Sequence, residues 1–215
     1  MKIFLDTGDV EAVREAYDTG LIDGVTTNPS HIARTKRRFG DVVEEICSIV
    51  PGPVSAEAVA ETADGLVEEA VRIASLAPNI VVKIPMTVEG LKAVPVLENK
   101  KNVKTNVTMI FSSAQSLLAM KAGASFVSIV LSRLDAVANE SHILVEDTVT
   151  IKKNYGFDSE IIAGSMKTQN HILACLRAGV DIVTLNPDLF FQMFKHPLTA
   201  EGLAQFAEDW ESVPK

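Results

Sequence analysis

The sequence predicts a closed (β/α)8 barrel, an α/β TIM barrel, on three observations. Short apolar runs alternate with longer amphipathic segments from end to end, giving eight strand candidates that are each followed by at least one helix. The strand runs are apolar throughout instead of alternating, which marks burial on both faces, as in a parallel sheet. Repeated βα units allow a closed barrel or an open doubly wound sheet. No Gly-rich dinucleotide fingerprint follows any strand to favour the open sheet. At 215 residues the chain is compact for a barrel but within the usual range. No linker, low-complexity tract or change of composition divides it, so residues 1–215 read as one domain.

The strands follow in chain order. Lys2–Asp6 is an aliphatic run ending on an acid, and Gly20 closes the helix behind it. Gly24–Thr26 leads into Asn28-Pro29, an N-cap followed by proline at the first helical position. Val54–Glu57 again ends on an acid. Behind it, Leu66, Val67, Ala70, Ile73 and Ala74 share one face of a helix over Ala63–Leu76. Ile80–Ile84 carries a lysine, Lys83, among branched aliphatic residues. Val103–Thr108, Phe126–Val130, Glu160–Ala163 and Ile182–Leu185 complete the set, with Gly123, Gly156 and Gly179 as helix stops. A last amphipathic segment, Thr199–Val213, puts Leu203, Phe206, Ala207 and Trp210 on one stripe and has no strand of its own to cover. It either caps the barrel's own surface or packs on a neighbouring subunit, which would bury the lone tryptophan.

Of the residues, 47% are apolar and 22% charged, which is ample material for a globular core. A formal net charge of −8 argues against nucleic acid or an anionic membrane as the main partner. The one basic run, Arg34 to Arg38, reads as a solvated helix end or loop. Cys47 and Cys175 fall in separate apolar helical patterns and are expected to be reduced, buried thiols. Met1–Asp6 meets an acid too early for a signal peptide, and no apolar run approaches the roughly 18 residues of a membrane span. A soluble, cytoplasmic protein is the expectation.

In such a barrel the chemistry sits at the C-terminal ends of the strands. Those ends carry Asp6, then Thr26 and Asn28, Glu57, Lys83, Asn106 and Thr108, Ser128 and Ser165. Singly, each has a structural explanation. Asp6 could cap the helix that starts near Asp9, and Asn28 could be a cap alone, since the pattern recurs at Asn186-Pro187. Asn106 and Thr108 point to one side of their strand, which is the barrel interior if Val103 and Val107 face the helices. Caps do not explain why so many polar residues converge on one rim.

On an edge strand Lys83 would snorkel its ammonium to solvent. Ile80–Ile84 is central in the strand order, however, and the rim offers acids and hydroxyls. Burial disfavours the charged form of an amine, and a neutral lysine attacks a ketone or aldehyde to form a Schiff base. The protonated imine draws electrons from the adjacent C–C bond and stabilises the enamine left by cleavage. A carboxylate must move protons beside it, and Glu57 and Asp6 are the candidates. His31, His142, His171 and His196 are scattered over helices and loops and read as surface or capping residues. No His, Cys or acid cluster has metal-ligand spacing, so metal-free imine chemistry with no cofactor is expected.

A second constellation lies on later strands. Ser128 and Arg133 stand at and beyond the end of the sixth, and Ser165 and Lys167 at the end of the seventh, before a helix opening at Thr168. Hydroxyls, two cations and a helix N-terminus make an anion site. Together with Lys83 they suggest a sugar phosphate held at one end and attacked at the other.

These stretches resemble the small transaldolase family, which includes fructose-6-phosphate aldolases. The likeness runs through FLDT (Phe4–Thr7), GVTTNPS (Gly24–Ser30), VSAE (Val54–Glu57), VVKIPMT (Val81–Thr87) and GLKAV (Gly90–Val94). It continues through KTNVTMIF (Lys104–Phe111), HPLT (His196–Thr199) and FAEDW (Phe206–Trp210). The resemblance implies that Lys83 forms the Schiff base and that Asp6 takes the proton of the donor's C4 hydroxyl. It implies that Glu57 moves protons at the imine through a water that Thr108 helps to hold, with Thr26 in the same shell. Asn28 and Asn106 would hydrogen-bond the dihydroxyacetone unit, and Ser128 would sit beside it. Arg133, Ser165 and Lys167, the last where many relatives carry arginine, would bind phosphate. Relatives form rings of five or ten subunits in which the C-terminal helix reaches a neighbour.

The chain also departs from the family pattern. Relatives usually read Ser-Pro-Phe-(Val/Leu)-Gly-Arg where this chain reads Ser128-Ile-Val-Leu-Ser-Arg133. Val130 thus replaces an aromatic that is phenylalanine in transaldolases and tyrosine in the aldolase branch. Glu57 matches the transaldolases, whereas the aldolases carry glutamine. The expected activity is transfer of dihydroxyacetone from fructose 6-phosphate or sedoheptulose 7-phosphate to an aldose phosphate. The alternatives are an aldolase releasing free dihydroxyacetone, a relative acting on another anionic sugar, or a non-catalytic barrel that binds sugar phosphates.

Overall fold

The computed structural model describes residues 1–214. Eight parallel strands close into a barrel, each paired with its sequence neighbours and the first with the last. They are β1 (Lys2–Asp6), β2 (Gly24–Thr26), β3 (Val54–Glu57), β4 (Ile80–Pro85), β5 (Thr105–Ile110), β6 (Phe126–Val130), β7 (Glu160–Gly164) and β8 (Ile182–Leu185). The helices are α1 (Val10–Tyr17), α2 (Pro29–Thr35), α3 (Phe39–Ile49), α4 (Ala63–Ala74), α5 (Val88–Val96) and α6 (Ser113–Lys121). After them come α7 (Ser132–Asp135), α8 (Ser141–Tyr155), α9 (Gln169–Ala178), α10 (Pro187–Gln192) and α11 (Pro197–Ser212). The predicted stops at Gly20, Gly123, Gly156 and Gly179 all have positive φ, between 66° and 86°.

The two-residue period of the strands explains the interior. Phe4, Val81, Phe126, Ile162 and Ile182 form a separate buried cluster in the barrel. Two residues further along four of the same strands stand Asp6, Lys83, Ser128 and Thr184. An apolar plug thus fills the lower barrel, and the polar side chains sit directly above it. Gly24 is part of the fit, because a Cβ there would come within 2.7 Å of the Phe4 ring. The intervening residues, such as Leu5, Val82, Val107, Val127 and Val183, face outward into the core shared with the helices.

Three expectations are corrected. The fifth strand starts at Thr105, not Val103, because α5 runs into a π-helical turn over Leu97–Lys101 and Asn102 takes a left-handed conformation. Val103 is buried under that turn, its N–H donating to the Leu97 carbonyl at 3.0 Å. The last helix runs over Pro197–Ser212, opened by His196, whose Nδ1 accepts the Leu198 N–H. It does not cap the barrel's own surface: α11 has no buried residue, and Phe206 and Trp210 are each 69% exposed. Among the described residues no helix is long and apolar enough to cross a membrane. Cys47 and Cys175 are free and buried, and burial pushes their thiols up to about 11 and about 12.

Candidate active site

A cavity of about 1170 Å3 opens at the C-terminal ends of the strands. Ten of the eleven site residues read from the sequence line it: Asp6, Thr26, Asn28, Glu57, Lys83, Thr108, Ser128, Arg133, Ser165 and Lys167. Asn106 is the exception. It lies fully buried beneath the cavity, its amide donating to Ser55 Oγ at 3.2 Å and its carbonyl accepting from Ser128 Oγ at 2.8 Å. Asn106 thus fixes the Ser128 hydroxyl from below.

Lys83 is only 8% exposed. Its Nζ donates to the Thr27 carbonyl at 3.0 Å and stands 3.4 Å from Glu57 Oε2. The β3–β4 register sets Glu57 directly beside Lys83, and the β4–β5 register sets Asn106 on the other side. The Lys83 side chain therefore has a polar partner on either hand in the free protein. The carboxylate is close enough to take a proton from the amine or pass one through a water. Thr108, two residues beyond Asn106, also points inward and lines the mouth, where β5 bulges between Val107 and Ile110. Met109 takes a left-handed φ of 65° in that bulge and also lines the cavity, as does Val130.

Asp6 does not cap α1. That role belongs to Asp9, which accepts the Glu11 and Ala12 N–H groups. Asp6 Oδ1 instead accepts from Thr26 Oγ1 at 2.7 Å, and Thr26 meets Thr184 Oγ1 at 2.7 Å. Asn28 both caps and lines the cavity, its Oδ1 accepting the His31 N–H at 2.9 Å. His31 is corrected from a surface or capping residue to a cavity residue, with Nδ1 3.7 Å from Asp6 Oδ1. Burial lowers its pKa, the Asp6 carboxylate works against that shift, and Arg34, Lys83 and Lys167 reinforce it. The imidazole is therefore biased towards its neutral form. Arg34 and Arg37 of the basic run also reach the cavity wall, and Arg37 pairs with Glu45 at 2.7 Å.

At the far wall the backbone N–H of Ser132 donates to the Ser165 carbonyl at 3.1 Å, and the two hydroxyls are 2.8 Å apart. Ser165 has a φ of 57°, an uncommon conformation for a residue with a side chain. His171 too is no surface residue, for its Nε2 lies 2.8 Å from Asp135 Oδ2 and its side chain is 18% exposed. His142 is exposed, as read. Sequence reasoning missed Thr184, His31 and Ser132. Thr184 had a visible signal, a hydroxyl two residues beyond Ile182 on the same strand face. The Thr27 carbonyl had none, since every residue carries one.

A parallel barrel with a polar cavity at the C-terminal rim is the architecture of barrel enzymes acting on small polar substrates. Two solved barrels share the fold alone. Thiamine phosphate pyrophosphorylase from Pyrococcus furiosus superposes with a TM-score of 0.60 at 14% identity over 88% of this chain and 87% of its own. Orotidine 5'-monophosphate decarboxylase from Methanocaldococcus jannaschii gives 0.61 at 16% identity over 88% and 90%. Sequence comparison goes further. A family model described as Transaldolase/Fructose-6-phosphate aldolase matches residues 3–215. Proteins named probable transaldolase from Geotalea uraniireducens and Clostridium tetani are 50% and 51% identical over 215 residues, covering all of both chains. The chain belongs to the transaldolase/fructose-6-phosphate aldolase family and is an enzyme of that class.

Proposed function

We propose that the protein transfers a dihydroxyacetone unit from fructose 6-phosphate or sedoheptulose 7-phosphate to an aldose phosphate through an imine on Lys83. The observation that carries this reading is the buried Lys83 amine beside Glu57, across the same cavity from Asp6. The amine adds to the C2 carbonyl of the ketose and water leaves, Glu57 handing over the proton through a water held with Thr108. Asp6 then takes the C4 hydroxyl proton, the C3–C4 bond breaks, and its electrons move into the imine as an enamine. The shortened aldose departs. The enamine carbon attacks the acceptor's carbonyl, Asp6 returns its proton, and hydrolysis of the imine frees Lys83. Asn28 and Asn106 would hold the dihydroxyacetone hydroxyls, with Ser128, already hydrogen-bonded to Asn106, beside them. Arg133, Ser165 and Lys167 would take the phosphate.

Release of free dihydroxyacetone is the second reading, because Val130 carries the aromatic ring of neither branch. Glu57 favours transfer. The unpartnered stripe of α11 supports self-association through that helix, and the two free buried thiols support a cytoplasmic location. The deciding experiment measures fructose 6-phosphate consumption with and without erythrose 4-phosphate. Turnover that requires the acceptor supports transfer. Equal turnover without it, with dihydroxyacetone accumulating, makes the protein an aldolase.

A further inference from the structure

The two cations of the far wall sit on separate short segments. Arg133 lies on α7, a single turn of four residues, and Lys167 lies on the loop between β7 and α9. A helix that short has no stability of its own, and Ser165 beside Lys167 carries a left-handed backbone. Ser132 and Ser165 tie the segments together at one end, and a second tie lies beyond the two cations. His171 Nδ1 accepts the Lys167 backbone N–H at 3.2 Å, so the ring proton resides on Nε2, which faces Asp135 Oδ2 at 2.8 Å. Asp135 ends α7 and also accepts the Ser141 N–H at 3.1 Å and its hydroxyl at 3.0 Å, tying α7 to the start of α8. Neither His171 nor Asp135 lines the cavity.

We propose that His171 and Asp135 form a strap joining the two segments that carry Arg133 and Lys167, and so set the affinity for the anionic head of the substrate without touching it. They are positioning residues, and the inference rests on the anion-site reading above. Metal-binding proteins offer the analogy, where carboxylate and carbonyl partners orient a histidine from outside the ligand shell and set affinity. Here the histidine is the connector, and a bond to a backbone N–H replaces the metal. Because the strap acts on only one end of the substrate, its loss should weaken phosphate recognition and leave chemistry at Lys83 intact.

The test compares wild type, His171→Phe, Asp135→Asn and His171→Gln, using fructose 6-phosphate and unphosphorylated fructose as donors. In the first two variants KM for fructose 6-phosphate should rise about tenfold, the lower end of the cost of losing an orienting partner. Their kcat and their kcat/KM for fructose should stay near wild type. His171→Gln, whose amide oxygen can accept and whose NH2 group can donate, should recover part of the loss. Asp135→Asn keeps an acceptor for Ser141, so it serves if the phenylalanine variant does not fold. An unchanged KM for fructose 6-phosphate, or a parallel fall for both donors, would overturn the strap alone. A wild type that uses fructose as well as fructose 6-phosphate would overturn the anion-site reading, and the strap with it.

Discussion

Replacing Asp6 by asparagine separates proton transfer from every other job in the cavity. An amide keeps an oxygen for the Thr26 hydroxyl that now donates at 2.7 Å, so the local geometry has no reason to change. His31 Nδ1, at 3.7 Å, is too far to be hydrogen-bonded to Asp6. Losing the carboxylate removes the one influence that raises the His31 pKa, so that imidazole is biased further towards its neutral form in the variant. A weakened neutral hydrogen bond is worth about 1 kcal/mol, under about tenfold in rate. Loss of a positioned general base costs about 10²- to 10⁴-fold, or about 2.7–5.4 kcal/mol of barrel-bound transition-state stabilisation. Turnover of fructose 6-phosphate with erythrose 4-phosphate should therefore fall at least about a hundredfold. Imine formation does not need Asp6, so borohydride should trap the whole hexose on the variant, because cleavage stalls after the imine forms. A loss of less than about tenfold, or a trapped three-carbon unit, would refute Asp6 as the base for carbon–carbon cleavage.

Cys47 and Cys175, with burial pushing their thiols to about 11 and about 12, should resist iodoacetamide at pH 8 in the native protein and react fully in denaturant; rapid native labelling would contradict their placement. For Asp135, burial raises the pKa, but the Ser141 hydrogen bonds and His171 outweigh it and leave the carboxyl below its ordinary range. A depressed folded pKa contributes stability that is present above the unfolded value and lost as pH falls through the folded one. Thermal melts should thus lose stability below about pH 4, with a shallower acid limb in Asp135→Asn; parallel curves would count against it. If α11 packs on a second copy, wild type should sediment above the protomer mass and the Phe206→Glu, Trp210→Glu variant as a smaller species. Identical sedimentation would remove α11 from the interface.

Much of the barrel was legible because its signals are local and repeated. Unbroken aliphatic strands, glycine stops and polar residues at seven of the eight strand ends need no knowledge of distant contacts. The same two-residue period that put Val107 outward put Thr108 inward. The errors came where long-range packing decides. Val103 looks like a strand start because it is apolar and β-branched, but it is buried beneath a π-helical turn instead. A lone histidine on a helix is ambiguous in sequence, and only the fold brings His31 to Asp6 and His171 to Asp135, 36 positions away in the chain. Asn106 points inward as its strand position requires, and only the fold shows that Ser55 and Ser128 meet its amide. The left-handed backbone at Ser165 has no glycine to announce it.

The most direct test of the central claim is to incubate the protein with fructose 6-phosphate, reduce with borohydride, and locate the adduct by intact mass and peptide mapping. Reduction converts an imine to a stable amine, so a three-carbon dihydroxyacetone adduct on Lys83 is the predicted result. An adduct on any other lysine, or none with this or any related ketose, would contradict the account.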